Sequence, residues 1–124
     1  MLLVRTRLAP SAIHGLGVFA VEPIARGTEV WRFTPGFDLD LEPKALEALP
    51  AQAREWLLVY GYLDPRLKRF ILCCDDARYF NHSATPNLRP DFAREPHGVD
   101  LALRDIATGE ELTVDYALVD NILP

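Results

Sequence analysis

A chain of 124 residues, 49% hydrophobic and 25% charged, has room for one core that folds without staples, and its composition argues against both a disordered chain and a membrane protein. A net charge of -5 with no Lys/Arg cluster argues against a nucleic-acid partner, which needs a basic face, while its sign suits a cationic ligand or peptide. No apolar run is long enough for a bilayer, and Arg5 and Arg7 stand where a signal peptide needs its apolar stretch, so the expectation is a cytoplasmic protein of one domain, residues 1–124.

In chain order, Leu2 to Leu8 alternates apolar and polar residues, which predicts a half-buried strand ended by Pro10-Ser11. Gly15-Leu16-Gly17-Val18-Phe19-Ala20 predicts a glycine-bounded turn and a second strand. After a turn over Glu22 to Gly27, the β-branched and aromatic run Thr28 to Phe33 predicts a third strand, broken by Pro35-Gly36. From Pro43 to Tyr60, Ala, Leu and Glu at helical spacing predict two short helices divided at Pro50. Arg69 to Cys74 and Val99 to Arg104 read as later strands, and Thr108-Gly109 turns the second into Glu111-Leu112-Thr113-Val114. The whole is a mainly β fold with one small helical insert near residues 43–60. Cys73 and Cys74, adjacent on a strand, point to opposite faces and read as small apolar packing residues. With no other Cys and 3 His, no structural zinc site can be assembled, so no metal is expected.

Three segments stand apart from this scaffold. Gly15-Leu16-Gly17 allows positive φ and a close approach of backbone to a ligand, and it equally suits a plain turn. Arg78-Tyr79-Phe80-Asn81-His82-Ser83-Ala84-Thr85-Pro86-Asn87 crowds Asn, His and Ser around a proline, as a polar ligand site would. A turn whose Asn and Ser cap their own backbone accounts for the same residues. Gly109-Glu110-Glu111-Leu112-Thr113-Val114-Asp115-Tyr116 ends a strand-like run on a tyrosine. His14 and His97 read as solvated surface residues.

In this order and spacing the three segments resemble the SET domain, a family of S-adenosylmethionine-dependent protein lysine methyltransferases marked by GxG, RFxNHSCxPN and GEELTxDY motifs. The resemblance implies a β-clip of short curved sheets with a C-terminal pseudoknot that joins the second and third motifs. It implies that the backbone at Leu16 and Gly17 and the side chain of Asn81 meet the amino-acid end of the cofactor. The His82 backbone would meet the adenine edge, and Tyr116 would be the catalytic residue facing the methyl group. Arg78 and Asp115 would be structural. A groove formed largely from the variable stretch 37–70 would read the substrate.

Methyl transfer to an amine is an in-line displacement, so the protein supplies alignment and partial negative charge around the methyl, and needs no nucleophilic Ser or Cys. Aromatic walls would grip a lysine stem: beside Tyr116, the residues Phe33, Tyr60, Tyr62 and Phe80 are candidates for such a channel, or for core, and Val114 sits where the family often limits the number of methyls. The chain departs from the family at Phe33-Thr34-Pro35-Gly36, where a YxG tyrosine is common, and at Ala84, where a zinc-binding Cys stands in other members. With only Ala117 to Pro124 left to close the channel, a homodimer using Leu118, Val119, Ile122 and Leu123 is an expectation. The alternative function is a non-catalytic SET-like module that binds a peptide or partner protein.

Overall fold

The computed structural model describes residues 1–119. Ile122 and Leu123, and the side chains of Leu118 and Val119, on which the expected dimer contact rests, lie outside the described residues.

The protein is mainly β. Strands β1 (Thr6–Pro10) and β2 (Leu16–Ala20) form an antiparallel hairpin with Ala9 opposite Gly17. Strand β3 (Glu29–Arg32) is followed by β4 (Leu39–Leu41), helices α1 (Pro43–Glu47) and α2 (Ala51–Tyr60), then β5 (Tyr62–Asp64) and β6 (Arg69–Leu72). Both helices start where a proline sits, Pro43 inside the first turn of α1 and Pro50 at the N-cap of α2, because the fixed φ of proline suits a helix start and its missing N–H is not needed there. Strands β4, β6 and β5 pair antiparallel in that order, and Leu57 of α2 covers them with Phe70 and Leu72 as a small second core.

A 3-10 turn (Asp76–Tyr79), capped by the Asp75 carboxylate accepting from the Ala77 N–H, leads into β7 (Asn81–His82). Strands β8 (Leu88–Asp91) and β9 (Val99–Ala102) complete a three-stranded sheet with β3, ordered β3-β9-β8. The last strand, β10 (Thr113–Val114), lies parallel to β7, with Thr113 opposite Asn81 and Val114 opposite His82, and a short helix α3 (Tyr116–Val119) follows. The main core runs through Val18, Val30, Ile71, Leu88, Ile106 and Leu112, each nearly or fully buried.

Two departures from the sequence reading have physical causes. The first strand is Thr6–Pro10 rather than Leu2 to Leu8 because the N-terminal segment divides its partners. Leu3 donates to Val30 O and Arg32 donates to Met1 O, so residues 1–3 follow β3, while the chain bends at Val4 and only Thr6 onward follows β2. Pro10 stays in the strand because it ends an edge, where its missing N–H costs no ladder bond. Strands β4, β5, β7 and β8 carry no long alternation of their own and form through partners distant in sequence.

In β3 a bulge at Val30 shifts the register, so that Glu29 faces Leu101 while Trp31 faces Asp100. The extra residue lets both Val30 and Trp31 be buried and turns the indole onto the face that carries Asp100. Cys73 is buried and Cys74 exposed, both as free thiols.

Candidate functional site

The segment Gly109 to Val114 bonds to β2 along one edge and to the Asn81–Asn87 segment along the other. Gly109 donates to Ala20 O, Ala20 to Glu110 O, and Leu112 to Val18 O. On the other edge Ser83 donates to Val114 O. Asn87, almost wholly buried, is the staple between the motifs: its Nδ2 donates to Glu111 O at 2.8 Å and its Oδ1 accepts from the Thr113 N–H at 2.8 Å. The sequence reading gave Asn87 no role, although a buried side chain that satisfies backbone on a neighbouring strand is a common use of asparagine in such a motif.

Glu111 joins all three segments. Its carboxylate accepts from Ser11 Oγ at 2.7 and 2.9 Å and from Asn81 Nδ2 at 2.8 Å. The same Asn81 nitrogen lies 3.1 Å from His14 O and 3.0 Å from Leu16 O, so this buried side chain ties the first loop to the last strand. The two glycines of the first segment divide the work. Gly15 has φ +47 with open space around it. Gly17 has ordinary backbone, but a Cβ there would come within 2.4 Å of Glu111 Oε2. Leu16, between them, is exposed.

His82 is half-exposed, and its Nδ1 accepts from the Tyr116 N–H at 3.1 Å, with Asp115 Oδ1 3.7 Å away. A neutral ring in that arrangement carries its proton on Nε2. Asp115 also accepts from the Ala117 N–H and so starts α3. Tyr116 donates its hydroxyl to Phe80 O at 2.6 Å, and its ring lies 5.3 Å from that of His82. Because the phenol proton is engaged by a carbonyl, the lone pairs of its oxygen are what it offers to a neighbour. Arg78 bonds Cys73 O through Nε and lays its guanidinium 5.1 Å over the Trp56 ring.

Two concavities meet at Tyr116. One, of about 600 Å³, is lined by residues 13–16, Asn81 and His82. The other, a smaller cavity of about 110 Å³, is lined by Trp31, Tyr62, Cys73, Pro90, His97, Asp100 and Val114. Val59, Tyr60, Arg78, Phe80 and Tyr116 line both. Leu16, Asn81, His82 and Tyr116 thus share the larger pocket, and Tyr60, Tyr62, Phe80, Val114 and Tyr116 share the smaller one. Gly17 and Phe33 line neither. Gly17 lies behind the loop against Glu111, and Phe33 packs in the main core with its ring stacked on His97 at 3.9 Å.

His97 is not the solvated residue that the sequence suggested. Its Nε2 is 2.8 Å from Asp40 Oδ2, and its side chain is mostly buried between that carboxylate and Phe33. Burial alone would raise the Asp40 carboxyl, but hydrogen bonds and charge from Arg69 and His97 hold it below its ordinary value. Trp31 and Asp100 were not singled out either. Nothing in a lone aspartate on a strand marks it, and only the bulge in β3 and the pairing of β8 with β9 put Trp31, Asp100 and Pro90 in one row. Burial pushes the Asp100 carboxyl up to about 7, against a smaller downward pull from the Met1 amine. It also drives the Tyr62 phenol and the Cys73 thiol well above their usual ranges.

The SET domain family model matches residues 15–117. Among solved structures, a Plasmodium falciparum protein designated a candidate histone methyltransferase superposes with a TM-score of 0.62 at 20% identity, covering 91% of this chain and 93% of that one. A humanized mutant of the Chaetomium thermophilum Polycomb Repressive Complex 2, bound to an inhibitor, gives a TM-score of 0.66 at 23% identity, covering 96% of this chain and 16% of that one. These likenesses carry the fold. No curated protein sequence matches the chain.

Proposed function

The chain belongs to the SET domain family, and from that premise we propose that it is a protein lysine N-methyltransferase that uses S-adenosylmethionine. The observation that carries this reading is the meeting of a large, mainly apolar groove that carries Asn81 and His82 with a small aromatic-walled cavity, Tyr116 lining both. A volume of about 600 Å³ is in the range of small-molecule and cofactor sites. The lining fits a nucleoside carrying an amino acid: Gly15 leaves open space beside the backbone of the first loop, Asn81, its Nδ2 committed to Glu111 and the first loop, and His82 add polar atoms, and Ile13 and Leu16 give apolar surface. Leu16, Asn81, His82 and Tyr116 would hold the cofactor, and Gly17 supports Leu16 from behind by giving Glu111 its room.

When bound, S-adenosylmethionine supplies an activated methyl, so the protein adds alignment rather than a nucleophile. Phe80 O and the Tyr116 hydroxyl, 2.6 Å apart, form a patch of partial negative charge suited to a polarised methyl, through C–H···O contacts of about 0.5–1 kcal/mol each. Tyr60, Tyr62 and Phe80 line the smaller cavity as the stem-gripping walls. An unbranched aliphatic chain suits about 110 Å³, since an apolar cavity of roughly 150 Å³ already admits benzene. Val114 on the same wall is small for a residue that would limit successive methylations. A lysine must lose its proton before it attacks, and loss of hydration in the cavity favours the neutral amine over the ammonium, whose reference pKa is about 10.4.

Isothermal titration with S-adenosylmethionine and its demethylated product tests the cofactor, and labelled-methyl transfer into a cell extract, run with wild type and Tyr116→Phe, tests the chemistry. Heat of binding with Tyr116-dependent labelling of lysine supports the reading. Binding without transfer would leave the binding-module function, and no heat would sink the methyltransferase reading.

A further inference from the structure

We propose that Asp100 is the charge partner of the side chain that enters the smaller cavity, so that this pocket selects a cationic alkylammonium rather than any slender aliphatic group. The inference takes its occupant from the methyltransferase reading and adds to it the residue that recognises the occupant.

Asp100 lies on the central strand of the β3-β9-β8 sheet, opposite Trp31 on one side and Pro90 on the other. Directly opposed residues share a sheet face, and all three line the cavity. The carboxylate makes no hydrogen bond or ion pair among the described residues, unlike Asp38, Asp40 and Asp64, each of which has an amine, guanidinium or backbone partner. Asp100 is half-buried, so leaving its carboxylate unpaired carries part of the cost of a buried charge. A cation arriving from solvent would remove that cost, and a neutral chain would not. The remaining wall suits the same guest, since Trp31, Tyr60, Tyr62 and Tyr116 are aromatic residues, the class whose ring faces attract an ammonium.

The other titratable neighbours do not compete for the role. His97 is bound to Asp40, the Met1 amine is ion-paired with Asp38 at 2.7 Å, Arg78 of the same lining is engaged by Cys73 O and the Trp56 ring, and burial keeps Tyr62 and Cys73 neutral. Asp100, whose carboxyl burial raises to about 7, ionises beside an ammonium; it recognises the charged form, and the amine then loses its proton against that attraction before it attacks. The same carboxylate supplies recognition that a tyrosine hydroxyl at Phe33 would not reach, since Phe33 lies outside the cavity.

The test uses n-butylammonium as the probe and n-butanol as its neutral counterpart, with the Asp100 side-chain carbon followed by 13C NMR in wild-type protein. Saturating n-butylammonium should lower the Asp100 titration midpoint by about 1 unit or more, the effect of an opposite charge at close range, and n-butanol should leave it in place. Asp100→Asn, close to isosteric, should weaken n-butylammonium binding about fivefold or more with little effect on n-butanol. An unmoved midpoint, or equal n-butylammonium affinity in wild type and variant, overturns the proposal. Titration of the same samples with S-adenosylmethionine separates the two readings: heat there with no butylammonium effect retains the methyltransferase and discards Asp100, and the converse retains Asp100 as a cation site and discards the methyltransferase.

Discussion

Gly17→Ala probes the joint on which the site hangs. The new Cβ would sit 2.4 Å from Glu111 Oε2 and 2.7 Å from its Cδ, so the carboxylate must retreat by about 1 Å to reach ordinary contact at 3.4 Å. That retreat stretches the 2.8 Å bond from Asn81 Nδ2 beyond hydrogen-bond range and strains the pair of contacts from Ser11 Oγ. Hydrogen bonds to a charged group contribute about 1.5–3 kcal/mol each, and replacing glycine in a strand returns about 0.5–1 kcal/mol. The net loss should be about 0.5–2.5 kcal/mol, one such bond less the backbone gain. Urea unfolding of wild type, Gly17→Ala, Glu111→Ala and the double variant forms a cycle. Because deleting the carboxylate removes the obstacle, the double variant should be more stable than the summed single losses predict by about 1 kcal/mol or more. Additive losses, or a Gly17→Ala loss below about 0.5 kcal/mol, would refute the packing role and return Gly17 to a simple turn. Gly15→Ala, strained only through its φ of +47 in open space, should show no coupling to Glu111.

Three further outcomes follow from the same geometry. Tyr116→Phe loses the hydroxyl on Phe80 O and its contact to the methyl, so the rate of methyl transfer should fall about tenfold or more while cofactor affinity measured by calorimetry stays within about threefold. Asn87→Ala orphans Glu111 O and the Thr113 N–H and should cost about 2–5 kcal/mol in urea unfolding, an unchanged midpoint counting against the staple. The Asp100 carboxyl is raised from 3.8 to about 7 in the folded protein, so the folded state holds more protons than the unfolded one between those values and its stability falls as pH rises through them. Asp100→Asn should therefore gain up to about 3 kcal/mol more stability at pH 8 than at pH 5, and an equal effect at both would show that the carboxyl titrates normally.

The strands around the glycines, the Thr28 to Phe33 run and the two helices divided at Pro50 were legible because each signal is local: a period, a turn residue, a proline. The three motifs were legible as a family resemblance, and the family match over residues 15–117 agrees with it. His97 and Asp100 were not legible, since one looks like a surface histidine and the other like any polar strand residue until the sheet is assembled. Phe33 shows the same limit from the other side: an aromatic residue near a motif can face a cavity or the core, and the choice is made by what packs on it, here the ring of His97.

The sequence by itself determined the elements that short-range chemistry specifies and, through spaced motifs, which family these residues belong to. Only the tertiary structure decided which groups face one another. Asn81 meets Glu111 across 30 residues and the first loop across more than 60, and Asp100 meets Trp31 only because a bulge at Val30 shifts one register. A side chain's partner depends on strand pairing, and a one-residue shift in register changes every neighbour along the strand, so local sequence can nominate the participants in a site without fixing the contacts that make it work.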